Sequence, residues 1–350
     1  MTSVPVSTSP IVAEEMRRLA AGATPLASPV EAYFEVANRC NSLCATCPLT
    51  YSPQEAARHL SLAEFKRLVD QLPALRRAVL QGIGEPLLNR DLTEMIRHLK
   101  QRGVYVVFNT NATLLTHRRQ LALIDSRLDE LRVSIDASTP ETYRRVRGIP
   151  AFDRVVANVA AMVRTQGELG VSTPRLSFWF TGMVDNLHEL PGLVELAAGI
   201  GVREVYLQRL TYWGEGLASA EHSIFGQQRA SVDNVLDEAQ RRAQRVGISL
   251  RGAGAATPRE TVAGCTPNSE PWRGCSRPLR LAYVTAQGTA LPCCIAPFTD
   301  APFDEITLGN YLEDGIDAVW NGERYQEFRR RLYSSEPPPS CRNCGVAWSL

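Results

Sequence analysis

Six short runs rich in β-branched and aromatic residues recur along the first two thirds of the chain, at 33–37, 78–81, 104–108, 131–135, 175–181 and 204–208. Each is separated from the next by a stretch of helical periodicity. Strand and helix in strict alternation imply a parallel sheet with right-handed crossovers, in a closed or partial barrel or in a doubly wound open sheet. The helices carry their own signals. Ser61 with Glu64 and Asp91 with Glu94 have capping-box spacing, and Thr139-Pro140 offers an N-cap followed by proline at the first helical position. Gly103, Gly170, Gly201 and Gly247 stand where helices should stop. A long amphipathic helix over 227–246 and a short strand over 248–251 close the series.

In barrels of this kind, chemistry gathers where strands end. After the first run comes Cys40-Asn41-Ser42-Leu43-Cys44-Ala45-Thr46-Cys47, three thiols within eight residues. Three thiolates on one loop can hold three corners of a metal centre, and the missing fourth protein ligand leaves one position open. A structural zinc site would be closed by a fourth Cys or His, and His59, the nearest His, lacks ligand spacing. After the second run, Gly82-Ile83-Gly84-Glu85-Pro86 allows close backbone approach and offers a carboxylate, or is a plain turn before a helix. The third and fourth runs end in Asn109-Thr110-Asn111-Ala112 and Ser134-Ile135-Asp136-Ala137-Ser138. Arg144, Arg145 and Arg147 could pair a ligand carboxylate, with Arg147 favoured, or could be solvated helix residues. Residues 209–216 combine charge, aromatic surface and glycine, as a binding rim or as a structural corner.

The chain changes character near Gly252. Cys265, Cys275, Cys293, Cys294, Cys341 and Cys344, six of the nine cysteines, fall in the last 86 residues. Two short strands at 280–285 and 289–293, joined across Gln287-Gly288, form a hairpin that brings Cys275 toward Cys293. Cys341-Arg342-Asn343-Cys344 adds a C-x2-C pair, and four such thiols can close a zinc or an iron-sulfur site. The chain thus divides into an extension over 1–30 with a short helical pattern at 12–20, a βα body over 31–251 and a cysteine-rich unit over 252–350.

A net charge of +1 and the absence of a long Lys/Arg run give no electrostatic footprint for nucleic acid or an anionic membrane. With no signal-peptide pattern and no run of about 18 apolar residues, the expected location is the cytoplasm. There, nine cysteines in a chain of this size suit metal or cluster ligation better than a disulfide framework.

The C-x3-C-x2-C loop resembles that of the radical S-adenosylmethionine (SAM) superfamily, although Thr46 stands where that family usually has an aromatic or large apolar residue. The segments at 82–86, 109–112 and 134–137 resemble its G-G-E-P, S-T-N-G and S-I-D-G motifs. Cys275-x12-Gly288-x4-Cys293 resembles the opening of the SPASM and twitch auxiliary-cluster domains. Segments 308–310 and 320–322 resemble its connecting region. The middle cysteines of a full SPASM domain are missing, which points to the shorter twitch form.

The resemblance implies an α/β fold, a partial (β/α)6 TIM-type barrel with a small C-terminal twitch/SPASM-like domain. It implies a [4Fe-4S] cluster on Cys40, Cys44 and Cys47 whose open iron is chelated by SAM, and one auxiliary [4Fe-4S] cluster on Cys275, Cys293, Cys341 and Cys344, with Cys294 the alternative to Cys293. SAM contacts would come from Gly82, Gly84, Glu85, Asn109, Asn111, Ser134, Arg147, Leu207 and Gln208. Cys265 is a plain thiol or, with Cys294, a candidate hydrogen donor to a substrate radical. The implied activity is reductive cleavage of SAM to a 5'-deoxyadenosyl radical, fed by a flavodoxin or ferredoxin. Because only 39 residues precede Cys40, the expected substrate is a small polar metabolite of sugar, nucleoside or aminocyclitol type, oxidised with the auxiliary cluster as electron acceptor. Epimerisation or decarboxylation of a similar substrate, peptide or protein maturation, and a non-catalytic zinc-binding module are the competing readings.

Overall fold

In the computed structural model, residues 14, 17, 26–226, 230–252, 257–263, 270–342 and 344 are described. The 12–20 helical pattern lies mostly outside them, as does Cys265. The strands are β1 (Glu31–Phe34), β2 (Arg77–Val79), β3 (Tyr105–Thr110), β4 (Glu130–Ser134), β5 (Arg175–Gly182), β6 (Glu204–Arg209), β7 (Ser249–Gly252), β8 (Leu281–Val284), β9 (Thr289–Leu291) and β10 (Gly309–Asn310). They form one open sheet in the order β10-β9-β8-β1-β2-β3-β4-β5-β6-β7, with β1 to β7 parallel throughout. The alternation is therefore that of a partial barrel.

The C-terminal hairpin does not stand apart from this sheet. β8 runs parallel to β1, with Tyr33 opposite Tyr283, and turns back through Gly288 (φ 87°) into antiparallel β9. A βαβ body with a free first edge would expose unpaired backbone there, and β8 covers it.

Side-chain alternation sorts the core into two layers. On β1, Ala32 and Phe34 join the large cluster between sheet and helices, whereas Tyr33 packs with Val79, Val107, Leu281, Tyr283 and Leu291 on the opposite, concave face. Cys293 and Cys294 pack against that concave cluster. β1 stops at Phe34 rather than at Ala37 because the next backbone groups are taken elsewhere: the Val36 carbonyl accepts from Leu60 N–H and Asn89 Nδ2, and Ala37 bridges to His59.

Helices start largely where expected. Ser61 Oγ accepts from Glu64 N–H (3.2 Å) while Glu64 Oε2 accepts from Ser61 N–H (2.9 Å), which opens helix α1 (Leu62–Asp70). Asp91 is a correction. It sits in helical conformation before α2 (Leu92–Gln101) with no side-chain cap bond, and its own N–H is taken by Asn89 Oδ1. Thr139 caps Pro140–Arg147, which ends at Gly148 (φ 71°). Gly103, Gly170, Gly201 and Gly247 all have positive φ at helix ends, as their positions suggest. The helix expected over 227–246 runs Ala230–Val246, and 227–229 lie outside the described residues.

Candidate functional site

The ends of β1 to β6 converge on one cavity of about 250 Å³. A single water needs only about 15 Å³ on the same measure, so there is room for a nucleoside-sized ligand. Cys40, Cys44 and Cys47 form one wall, residues 81–85 the next, then Asn109 to Asn111, Ser134 and Asp136, Thr181, and finally 208–211. Cys294, Ile295 and Phe298 enter from the C-terminal unit.

The three-cysteine loop has little regular structure, and its neighbours hold it. Leu43 N–H donates to the Arg147 carbonyl and Ala45 N–H to that of Val146, tying the loop to the end of the Pro140–Arg147 helix. Asn111 Nδ2 donates to Asn41 Oδ1 (2.9 Å) and Ser42 Oγ (3.0 Å) and lies 3.8 Å from Cys40 Sγ. From outside, Leu217 N–H donates to the Ala45 carbonyl and Trp213 Nε1 to that of Thr46, while the Tyr51 and Trp213 rings lie 5.8 Å apart. The 209–216 segment thus does both things considered for it: Arg209, Leu210 and Thr211 line the cavity, and Trp213 clamps the loop.

Burial pushes the Cys40 and Cys44 thiols up from their ordinary range, and Cys47 to about 12. A buried thiolate trio needs a strongly cationic centre to draw its protons off. Three thiols on one loop at the cavity wall can each take a separate iron atom of a cubane and leave its fourth iron open. The donor set fits a three-thiolate cluster with one open side toward the cavity.

The expected SAM contacts divide. Gly82 and Gly84 line the cavity, but what requires glycine is the chain itself: a Cβ at Gly82 would lie 2.0 Å from Glu35 Cγ, and one at Gly84 2.1 Å from the Ala37 carbonyl oxygen. The Glu85 carboxylate is committed internally, accepting from Leu87 N–H, Thr110 Oγ1 and Asn111 N–H (3.0, 2.8 and 2.7 Å). It therefore braces β2 against β3, and burial raises its pKa. Asn111 is likewise spent on the cysteine loop. Asn109 differs, because its Oδ1 is buried on the cavity wall with no partner. Ser134 and Gln208 also line the cavity, whereas Leu207 does not: its side chain points the other way, into the core. Alternation along β6 separates them. Arg147 is partly buried, with Nη1 2.8 Å from Asp136 Oδ2, and the Asp136 Oδ1 accepts from Thr181 N–H (2.7 Å).

The sequence reading missed the cavity floor. Arg132 lies 4.3 Å over the Trp179 ring, which stacks on Tyr206 at 4.7 Å, and Arg132 Nε pairs with Glu130 at 2.7 Å. A charged pair two residues apart, Glu130 and Arg132, in a strand buried on both sides was the available signal.

The second thiol group gathers Cys275, Cys293, Cys294, Cys341 and Cys344. Burial raises Cys275, Cys293 and Cys341, and takes Cys344 to about 11; the neighbouring thiols raise each further. The hairpin brings Cys275 to Cys293 as expected, and the Pro339–Arg342 turn delivers the C-x2-C pair. Cys294 also faces the cavity, and Cys293 does not line it.

Residues 34–173 match the radical SAM superfamily, and 275–345 match an iron-sulfur cluster-binding domain, SPASM. An AdoMet-dependent heme synthase of Methanosarcina barkeri is 24% identical over 338 residues, covering 89% of this chain and 86% of that protein. A PqqA peptide cyclase of Rhodopseudomonas palustris is 25% identical over 322 residues, covering 89% and 79%. SuiB of Streptococcus suis bound to S-adenosylmethionine superposes with a TM-score of 0.66 at 17% identity, covering 95% of this chain and 75% of that one, a likeness of fold. Among the described residues, no helix is long and apolar enough to cross a membrane. With its three-thiol loop at a barrel strand end and a second thiol group that reaches the cavity at Cys294, this chain belongs to the radical SAM superfamily as a SPASM-type enzyme that uses SAM, a [4Fe-4S] cluster and auxiliary cluster chemistry.

Proposed function

We propose that Cys40, Cys44 and Cys47 hold the SAM-cleaving cluster, that Cys275, Cys293, Cys341 and Cys344 hold one auxiliary [4Fe-4S] cluster, and that the enzyme oxidises a small polar metabolite of sugar, nucleoside or aminocyclitol type. One observation carries the reading: a single polar chamber has the three-thiol loop on one wall and Cys294, a member of the second thiol group, on another. The six cysteines after residue 252 cannot close two four-cysteine clusters, which supports a single auxiliary centre.

Cys40, Cys44 and Cys47 would hold the first cluster beside SAM, and once bound there it would supply the electron for reductive cleavage of SAM. The chain's part is to orient and to enclose. Arg147, held by Asp136, presents fixed positive charge beside the loop for the methionine carboxylate. Asn109 Oδ1 and Gln208 offer hydrogen-bond partners to ribose or base. Trp213 and Tyr51 cover the loop from outside, doing part of what a large residue at Thr46 would do. Arg132, stacked on Trp179 with its charge balanced by Glu130, faces the remaining space and suits a substrate with hydroxyl or carbonyl oxygens. A flavodoxin or ferredoxin would be the reductant.

Peptide modification is the second reading, favoured by the similarity to a PqqA peptide cyclase across 89% of this chain. The experiment is anaerobic reconstitution followed by incubation with deuterated candidates. Deuterium in 5'-deoxyadenosine from a polyol, nucleoside or aminocyclitol supports the first reading. Transfer from a peptide alone overturns it, and a native centre containing zinc without iron and sulfide overturns both.

A further inference from the structure

Arg277 follows Cys275 by two residues and is almost wholly enclosed, at 5% exposure. Neither terminal nitrogen, Nη1 nor Nη2, has a hydrogen-bond partner, and among the described residues no carboxylate pairs with it. A guanidinium held this way costs several kcal/mol unless something anionic meets it. The groups around it that can carry negative charge are the thiols of Cys294, Cys293, Cys275 and Cys344, with the Tyr33 hydroxyl at the cavity side. Arg277 does not itself line the cavity, so substrate does not reach it. Arg277 thus brings two buried, unpartnered donor nitrogens into the neighbourhood of four cysteines, the nearest in sequence being Cys275.

We infer that Arg277 is a positioning and potential-setting residue for the auxiliary cluster, donating hydrogen bonds to its sulfurs and holding a full positive charge beside it. The inference rests on the assignment of Cys275, Cys293, Cys341 and Cys344 as ligands. When the substrate radical gives up its electron, the cluster gains one unit of negative charge, and the proton lost by the substrate leaves to solvent. A fixed cation stabilises the more negative, reduced state, and hydrogen bonds to the sulfurs act in the same direction. Arg277 thus favours electron flow from substrate to cluster, and its charge also offsets the repulsion among buried thiolates.

The test uses full-length protein reconstituted anaerobically with Cys40, Cys44 and Cys47 replaced by Ala, so that only the second centre remains. Iron and sulfide are counted, and the reduced signal is followed by EPR during a redox titration. Arg277→Met is expected to keep its iron but to become reducible only at lower potential, by at least the tenfold change in reduced-to-oxidised ratio that corresponds to about 59 mV for one electron. Arg277→Lys, which keeps the charge, should stay nearer the parent value while its g-values move. If Met cannot hold the cluster, the uncharged donor in Arg277→Gln decides: a lowered potential supports the inference. An unchanged potential in whichever uncharged variant retains the cluster overturns it. Loss of the cluster in all three variants also overturns it in favour of a purely structural role. If the parent triple variant binds no cluster, or if Cys341→Ala with Cys344→Ala leaves its iron unchanged, the ligand assignment has failed instead.

Discussion

The two cysteine sets solve opposite problems. The first lies within eight residues on one loop, and neighbouring chain holds it from all sides while one face stays open to the cavity. The second is assembled from residues 275 to 344, which only the β8–β9 hairpin and the Pro339–Arg342 turn bring together, and near it lies the buried, unpartnered guanidinium of Arg277. An open set can admit an outside ligand; a closed one, fully supplied with thiols, is suited to moving electrons. The lesson is that ligand count and the charge nearby separate binding from relay.

The sharpest way to break that contrast is to remove each set separately. Replacing Cys40, Cys44 and Cys47 with Ala should abolish 5'-deoxyadenosine formation while leaving the second centre's iron in place, as read by product analysis and iron content. Replacing Cys341 and Cys344 with Ala should do the converse, keeping SAM cleavage measurable but removing net substrate oxidation. Equal loss of SAM cleavage in both would erase the distinction.

A milder effect is expected from the support of the open set. Asn111→Ala removes the amide that spans Asn41 and Ser42, and should lower SAM cleavage about 10- to 100-fold with the iron content reduced less, in line with losses from outer-shell ligand partners. An undiminished rate would mean that the ties to Val146 and Arg147 suffice.

Glu35 lies where β1, the Gly82-Ile83 turn and β8 meet, hydrogen-bonded to Ile83 N–H and the Tyr283 hydroxyl. Burial raises its carboxyl to about 8, with the Glu55 charge adding and the Ile83 N–H and Tyr283 hydroxyl opposing. The folded chain thus keeps a proton that the unfolded chain releases near 4.5. Its contribution to stability is complete below that value and is lost as pH rises toward about 8, at a slope of up to about 1.4 kcal/mol per pH unit. Glu35→Gln should flatten that part of the pH–stability curve, measured by denaturant unfolding; an unaltered slope would place the titration elsewhere.

The smallest effect concerns Ala112, where the resembling motif has glycine. Ala112 has φ 56°, a left-handed conformation that costs a residue with a Cβ about 1 kcal/mol. Ala112→Gly should therefore raise stability by about 0.5 to 1 kcal/mol, partly offset by chain entropy. A loss of stability would show that its methyl packing outweighs the strain.

Much of the fold was legible because the responsible signals are local. Period-two and period-3.6 patterns and glycines at helix ends act over a few residues, and the observed strands fall close to the expected runs. The Asp91 cap failed for an equally local reason, since Asn89 took the N–H first. The first cysteine set could be read because its ligands are contiguous. Glu85 and Asn111 were legible as important but not in what they do, since their partners come from other strand ends.

By itself, then, the amino-acid order determined the alternating βα body, the open three-thiol loop and the identity of the groups available for chemistry. Tertiary structure alone decided that β8 would pair with β1, that Arg132 and Trp179 would form the cavity floor, that Leu207 would turn into the core, and that the terminal nitrogens of Arg277 would be buried without a partner. The reason is range. Dihedral preference and periodicity are properties of neighbours in sequence, whereas burial and hydrogen-bond partnership depend on which distant segments fill the remaining space.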